Sequence, residues 1–346
     1  MGKKIMKYLL SIVLAVCFAV GCVLMQGIVA EEKRDVTAEH NAMIKDQYNG
    51  YGLETGMGLS DQIVYESDSL VCYEDRIFRK FQYDENYAEK TVTMAAGMLD
   101  KCPSLESVYV MPVPHRILME EGYEREREQY LHFLERISEM LPDKAVLINA
   151  LPALEEHREE YIFFRTEDSW TARGAYYGTN ELCRAIGLES IPLDRYEEYM
   201  YNGFLGSLAL REEIIEIENF TLPTDKTYYY ILPGTENKVE IMETNSSGEQ
   251  ICYKKPLITP SAGNTGAFIA PSFTRALVVG DAYNEKKKDN NILIVCDESG
   301  KMIVPYVKQY YAGVYVINVR EDYDFYRDIK GIVEAYHIKE IVFDQN

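Results

Sequence analysis

The chain has 346 residues, 47% of them hydrophobic and 12% aromatic, enough for a folded core in one large domain or two ordinary ones. A formal net charge of −20 argues against a nucleic-acid partner held through its phosphates. All 56 acidic residues lie beyond position 30, which sets the N-terminus apart.

Residues 1–7 form a small basic cluster, and Tyr8 to Ala30 is apolar except for Ser11 and Gln26. At about 1.5 Å per residue this stretch spans about 35 Å, a bilayer core with some tilt. Lys3, Lys4 and Lys7 predict a cytoplasmic tail over 1–7, a single-pass transmembrane anchor over 8–30, and an extracellular remainder at the cell membrane. One alternative is a cleaved signal peptide, although Ile28 is a poor residue for such a site. Lipoprotein cleavage before Cys22 is another, and it would leave a very apolar mature start. An uncleaved anchor is the favoured reading.

Residues 31–58 are polar, carry Gly50, Gly52, Gly56 and Gly58, and read as a stalk with a short helix around His40 to Lys45. The folded domain is expected over 59–346. Gln62 to Val71 alternates as a strand or hairpin would, and Tyr87 to Leu99 has helical spacing. Ser107 to Pro112 is a short buried strand. Glu120 to Leu141 is an amphipathic helix with Tyr130, Phe133 and Ile137 on its apolar face. Ala145 to Asn149 gives another strand and Leu151 to Glu160 another helix. This alternation predicts an α/β protein with a parallel sheet covered on both faces.

Regularity lapses over about 196–275. Asn202 to Ser207 reads as a loop, and Tyr228 to Lys255 alternates Tyr, Val and Ile with polar residues, which predicts a β-rich insertion of hairpins. A β-α-β-α-β run then closes the chain: strand Asn291 to Asp297, helix Lys301 to Tyr311, strand Gly313 to Val319, helix Tyr323 to Tyr336 and strand Glu340 to Asp344. Five cysteines lie beyond the anchor, an odd number without CxxC or Cys/His spacing, so neither a disulfide framework nor a zinc site is indicated. No cofactor is expected.

Ligands of open parallel sheets sit at the C-terminal ends of strands. That placement selects Pro114 to Arg116, Glu167 to Ser169, Asp297 to Ser299 and Asn318 to Arg320. The Trp stretch and the Asp297 turn should meet across one crevice. Trp170 is the only Trp, set between an aromatic strand end and a helix starting at Thr171. Glu167, Asp168 and Ser169 crowd before it, where a helix N-terminus favours negative charge. On spacing alone, an acidic cap beside a core Trp is the simpler reading.

The run TEDSWTARGAY, Thr166 to Tyr176, resembles the TDHHWTxxGAY signature of the bacterial DHHW proteins. Those are secreted SGNH-hydrolase-like proteins, similar to the alginate O-acetylation proteins. Val108 to Pro112, Gly203 to Ser207, Asp297 to Tyr306 and Val314 to Arg320 resemble further family segments, in the same order. The resemblance implies an SGNH-like three-layer α/β/α domain acting in O-acylation of a cell-surface glycan, beside a membrane-bound O-acyltransferase. It also implies a Ser nucleophile, a His base and an orienting Asp.

Carried over by position, those three fall on Glu298, Ser169 and Glu167, so the reactive set is changed throughout. A hydroxyl at the base position cannot take a proton at neutral pH. The expectation is therefore a catalytically degenerate member, with Asp168, Trp170, Asp297 and Arg320 left to bind. A second reading rebuilds an esterase or O-acetyltransferase from Ser299 and His115, with Asp168 or Glu167 orienting the imidazole. A third brings Glu167, Asp168, Asp297 and Glu298 together around Ca²⁺, against solvated carboxylates as the simpler account.

Overall fold

The runs NILIVC, GVYVIN and IKEIVF are rich in β-branched residues, lack proline and bury both alternating faces, the composition of central parallel strands. They are β11 (Asn291–Cys296), β12 (Gly313–Asn318) and β13 (Ile338–Phe343). The computed structural model describes residues 59–244, 249–258, 273–281, 287–322 and 324–344, all within one compact unit. The tail, anchor and stalk expected over 1–58 lie outside the described residues, among which no helix is long and apolar enough to cross a membrane.

The fold is mixed α/β, built on an eight-stranded sheet ordered β5-β4-β13-β11-β12-β10-β8-β9. β4 (Ser107–Val110), β5 (Ala145–Leu147) and the three central strands pair in parallel. β10 (Arg275–Val279), β8 (Val239–Thr244) and β9 (Gln250–Lys255) continue the sheet antiparallel. One core gathers Val108, Val110, Leu293, Val295, Ile341 and Phe343 beneath α1 (Glu85–Lys101), α2 (Glu124–Met140) and α7 (Phe325–Ala335). The residues of opposite phase, Ile292, Ile294, Val314, Val316 and Val342, are as fully buried.

Several expected elements differ. β8 and β9 do not stand apart as an insertion; they lengthen the main sheet through β10. Of the stretch Asn202 to Ser207 read as a loop, Asn202 to Phe204 close strand β6 (Glu197–Phe204), paired antiparallel with the Tyr-rich β7 (Asp225–Ile231), and Leu205 to Ser207 lie outside any strand. The β6 register breaks between Asn202 and Phe204, and Gly203 absorbs the break at φ +95°. The helix expected over 301–311 is a 3-10 turn, Gly300–Ile303, followed by the four-residue α6 (Val304–Val307). Pro305 lacks the N–H that a continuous helix would donate to Lys301. The predicted Leu151 helix, α3, ends at Glu156. Near the start of the domain, β1 (Ile63–Glu66), β2 (Leu70–Tyr73) and β3 (Ile77–Arg79) form a small antiparallel sheet. A four-residue α5 (Glu212–Ile215) follows β6. The five described cysteines are unpaired, and all but Cys252 are buried.

Candidate functional site

The helix after Trp170 begins as its sequence dictates. Thr171 Oγ1 caps the Gly174 N–H of α4 (Ala172–Ile186), and Gly187 closes the helix at φ +76°. Trp170 lies fully buried along it: a Cβ on Gly178 would stand 2.5 Å from the indole and one on Gly174 2.9 Å from Trp170 Cβ. Two small residues one turn apart thus open the groove that the indole fills. Its Nε1 donates to the Ser299 carbonyl at 3.0 Å, so the Trp stretch and the Asp297 turn do meet.

The residues before Trp170 are held from two sides. Thr166 Oγ1 donates to Asp225 and accepts from the Gly206 N–H at 2.7 Å. Glu167 accepts from the Ser207 N–H at 2.6 Å and the Ser207 hydroxyl at 2.9 Å. A Cβ on Gly206 would come within 2.2 Å of the Thr166 carbonyl, which explains the glycine there. Segments 166–168 and 205–207, far apart in sequence, therefore form one structure.

Asp168 points the other way. Its oxygens lie 3.4 Å from His115 Nδ1 and 3.1 Å from Arg79 Nε. Burial works against its ionisation, but the His115 and Arg79 charges outweigh that and hold the carboxyl below its ordinary range. Arg79 and His115 line a cleft of about 260 Å³ with Lys80, Tyr87, Tyr130 and Phe133. Tyr130 donates to the Pro112 carbonyl at 3.2 Å, tying the cleft wall to the end of β4.

At the Asp297 turn, Asp297 accepts from the Ser299 N–H at 2.8 Å, the Gly300 N–H at 3.3 Å and Arg320 at 3.2 Å. Glu298 pairs with the buried Lys301. Ser299 is buried, and Ser169 Oγ donates to the carbonyl of its neighbour Trp170 at 3.2 Å. Among the described residues no hydrogen bond joins an imidazole to a serine hydroxyl: His115 has Asp168, as one version of the rebuilt triad required, but not Ser299. The four carboxylates suggested for Ca²⁺ do not converge either. Glu167 serves Ser207, Asp168 serves His115 and Arg79, Asp297 serves its own turn, and Glu298 serves Lys301; no group of three potential metal ligands forms among the described residues.

The sequence model of the DHHW protein family matches residues 130–317, a span running from the cleft wall through the Trp stretch and the Asp297 turn. The chain belongs to the DHHW family. A DHHW family protein of known structure from Eubacterium siraeum DSM 15702 has the same fold, with a TM-score of 0.64, 18% identity, and coverage of 83% of this chain and 93% of that one. Bacillus cereus PatB1 is also similar, with a TM-score of 0.59, 13% identity, and coverage of 80% and 95%. A structure of PatB1 with a sulfonyl adduct gives 0.59, 12%, 80% and 93%. A comparison with curated proteins returned no match.

Three groups of this DHHW site escaped the sequence reading. Arg79 comes from β3, far from any motif, and left no local signal. Asp225 begins β7 and grips the Trp stretch from a distance. Asp344, buried just past β13, was readable in principle, because acids at the C-terminal ends of parallel strands face the ligand side of such sheets.

Proposed function

We propose that this DHHW protein has the SGNH-like three-layer architecture and binds a cell-surface glycan outside the membrane, supporting its O-acylation without passing the acyl group itself. The observation that carries the reading is Glu298. It occupies the position where the family resemblance implies a serine, and its carboxylate is neutralised by Lys301. A carboxylate attacking an acyl ester would form a mixed anhydride, higher in energy than the ester consumed, and a carboxylate held by an ammonium is a poorer nucleophile still. At the base position Ser169 has no proton-accepting nitrogen. What remains is a cleft with cationic donors and aromatic faces, suited to a polar chain. In this reading the apolar segment 8–30 holds the domain at the outer surface of the membrane, and a membrane-bound O-acyltransferase supplies the acyl chemistry.

A second reading, an active esterase or O-acetyltransferase, is favoured by one contact. His115 and Asp168 form the base-and-carboxylate half of a triad. Against it, Ser299 is fixed in the turn by Trp170.

The two part in one assay. The purified protein is expected to hydrolyse aryl acetates no faster than buffer, and Ser299→Ala and His115→Gln to change nothing. Hydrolysis above background that disappears in Ser299→Ala overturns the binding reading.

A further inference from the structure

Asp344 follows the central strand β13, its N–H donated to Val295 at 2.9 Å. The residue is 1% exposed, and neither carboxyl oxygen is satisfied: the Val113 amide is the one backbone donor near them. The acid lies on bare backbone: a Cβ on Gly300 would stand 2.2 Å from Asp344 Oδ2 and 2.6 Å from Cys296 Cβ. On the same turn Asp297 is fully served by the Ser299 and Gly300 amides and by Arg320.

A buried carboxylate with no cation beside it and a second carboxylate close by is strongly disfavoured in its charged form. Burial first and the Asp297 charge second raise the Asp344 carboxyl well above the carboxylate range, and the Val113 amide opposes this only in part. The neighbouring groups offer no relief. On β11 the Cys296 thiol is pushed up by burial and then by Asp344 and Asp297. From α1 and α2 the phenols of Tyr87 and Tyr130 are pushed up by burial and then by Asp344, and for Tyr87 by Asp297 as well. Of the cations at the turn, Arg320 serves Asp297 and Lys301 serves Glu298. Burial beside Asp297 with no cation in reach favours the neutral acid.

We propose that Asp344 is a proton switch beneath the Asp297–Gly300 turn, holding the turn against Trp170 while neutral and releasing it when ionised. Losing its proton to solvent places two negative charges side by side, and the new carboxylate requires water. Water reaches it when the turn lifts from Asp344, because Gly300 packs directly against Oδ2. Lifting the turn withdraws the Ser299 carbonyl from the indole Nε1. The switch acts on the geometry of the candidate site and stands whether its cleft binds a glycan or transfers an acyl group.

The single Trp of the chain reports on this contact directly. The full-length protein is titrated from about pH 5 to 9, above the ordinary carboxylate range, following Trp170 emission and acrylamide quenching, with far-ultraviolet circular dichroism to establish that the fold persists. The wild type is expected to show a reversible red shift and increased quenching as pH rises. Asp344→Asn abolishes the transition and keeps the low-pH spectrum throughout. Asp297→Asn moves the midpoint to lower pH by removing the like charge. His115→Gln retains the transition, which separates this switch from the His115–Asp168 pair. The proposal is overturned by a wild type with no transition in that range, by a transition that survives in folded Asp344→Asn, or by one that vanishes in His115→Gln.

Discussion

Two carboxylates tie the short segment before Trp170 to its surroundings on opposite sides, and they do so with different kinds of partner. Asp225 is buried and accepts from the Arg165 N–H at 2.7 Å, the Thr166 N–H at 2.8 Å, the Thr166 hydroxyl and the Tyr161 phenol. Asp168 is 12% exposed and meets only side chains, His115 and Arg79, at the rim of a cleft. Backbone amides cannot rotate away or change charge, so the Asp225 contact fixes the loop. Imidazole and guanidinium groups can turn toward a ligand, so the Asp168 contact can be exchanged. One side of the Trp stretch is fixed by backbone donors, and the other meets side chains that can move.

The sharpest test of that division is Asp225→Ala. It leaves several buried donors unanswered and is expected to cost about 3–5 kcal/mol in denaturant unfolding, near the upper end for a single substitution. A loss below about 1 kcal/mol would mean that the loop is held by packing around Trp170 and that the contrast is illusory. Asp168→Asn should cost less, about 1.5–3 kcal/mol at neutral pH, the range for a hydrogen bond to a charged group. Its pH dependence follows from the lowered Asp168 pKa. The stabilisation is fully present above the unfolded carboxyl value of about 3.9 and disappears as pH falls through the lower folded value. Wild type minus variant stability, measured from neutral pH down to about 2.5, should therefore shrink to nothing. A difference that persists in acid would assign Asp168 a role other than its charge.

The same contrast explains what could be read from the sequence. β11 and β12 were legible because each buries both faces in a nearly unbroken apolar run, and α2 because its apolar residues keep one face. The start of α4 and the meeting of Trp170 with the Asp297 turn followed from a cap and from strand-end placement. β6 was hidden because Tyr, Asn and Gly in alternation look like a loop until a Tyr-rich partner strand pairs with them. β10 was passed over because its five residues, Arg275–Val279, take their place only by pairing with β8 and β12 on either side. The family resemblance brought 203–207 into view, and the Glu167–Ser207 hydrogen bonds give it a physical basis. Asp225 and Arg79 left no trace, because a side chain that reaches a distant backbone or carboxylate imposes no pattern on its own neighbours.

The smallest stability effect should belong to Arg79. Its side chain is 52% exposed and its bond to Asp168 lies at the cleft rim, so solvent already screens the pair. Arg79→Ala is expected to change unfolding stability by no more than about 0.5 kcal/mol. Its effect on ligand binding should be larger, because a planar guanidinium at the mouth of an aromatic-walled cleft can donate to sugar hydroxyls or acyl oxygens once it turns from Asp168. A tenfold loss of glycan affinity, about 1.4 kcal/mol, with an unchanged unfolding curve would place Arg79 on the exchangeable side. Titration calorimetry of wild type and variant against the same oligosaccharide supplies the first number and urea unfolding the second. If instead stability falls by as much as in Asp168→Asn while affinity is untouched, the guanidinium belongs with Asp225 as a fixed brace, and the cleft has lost its most exposed candidate donor.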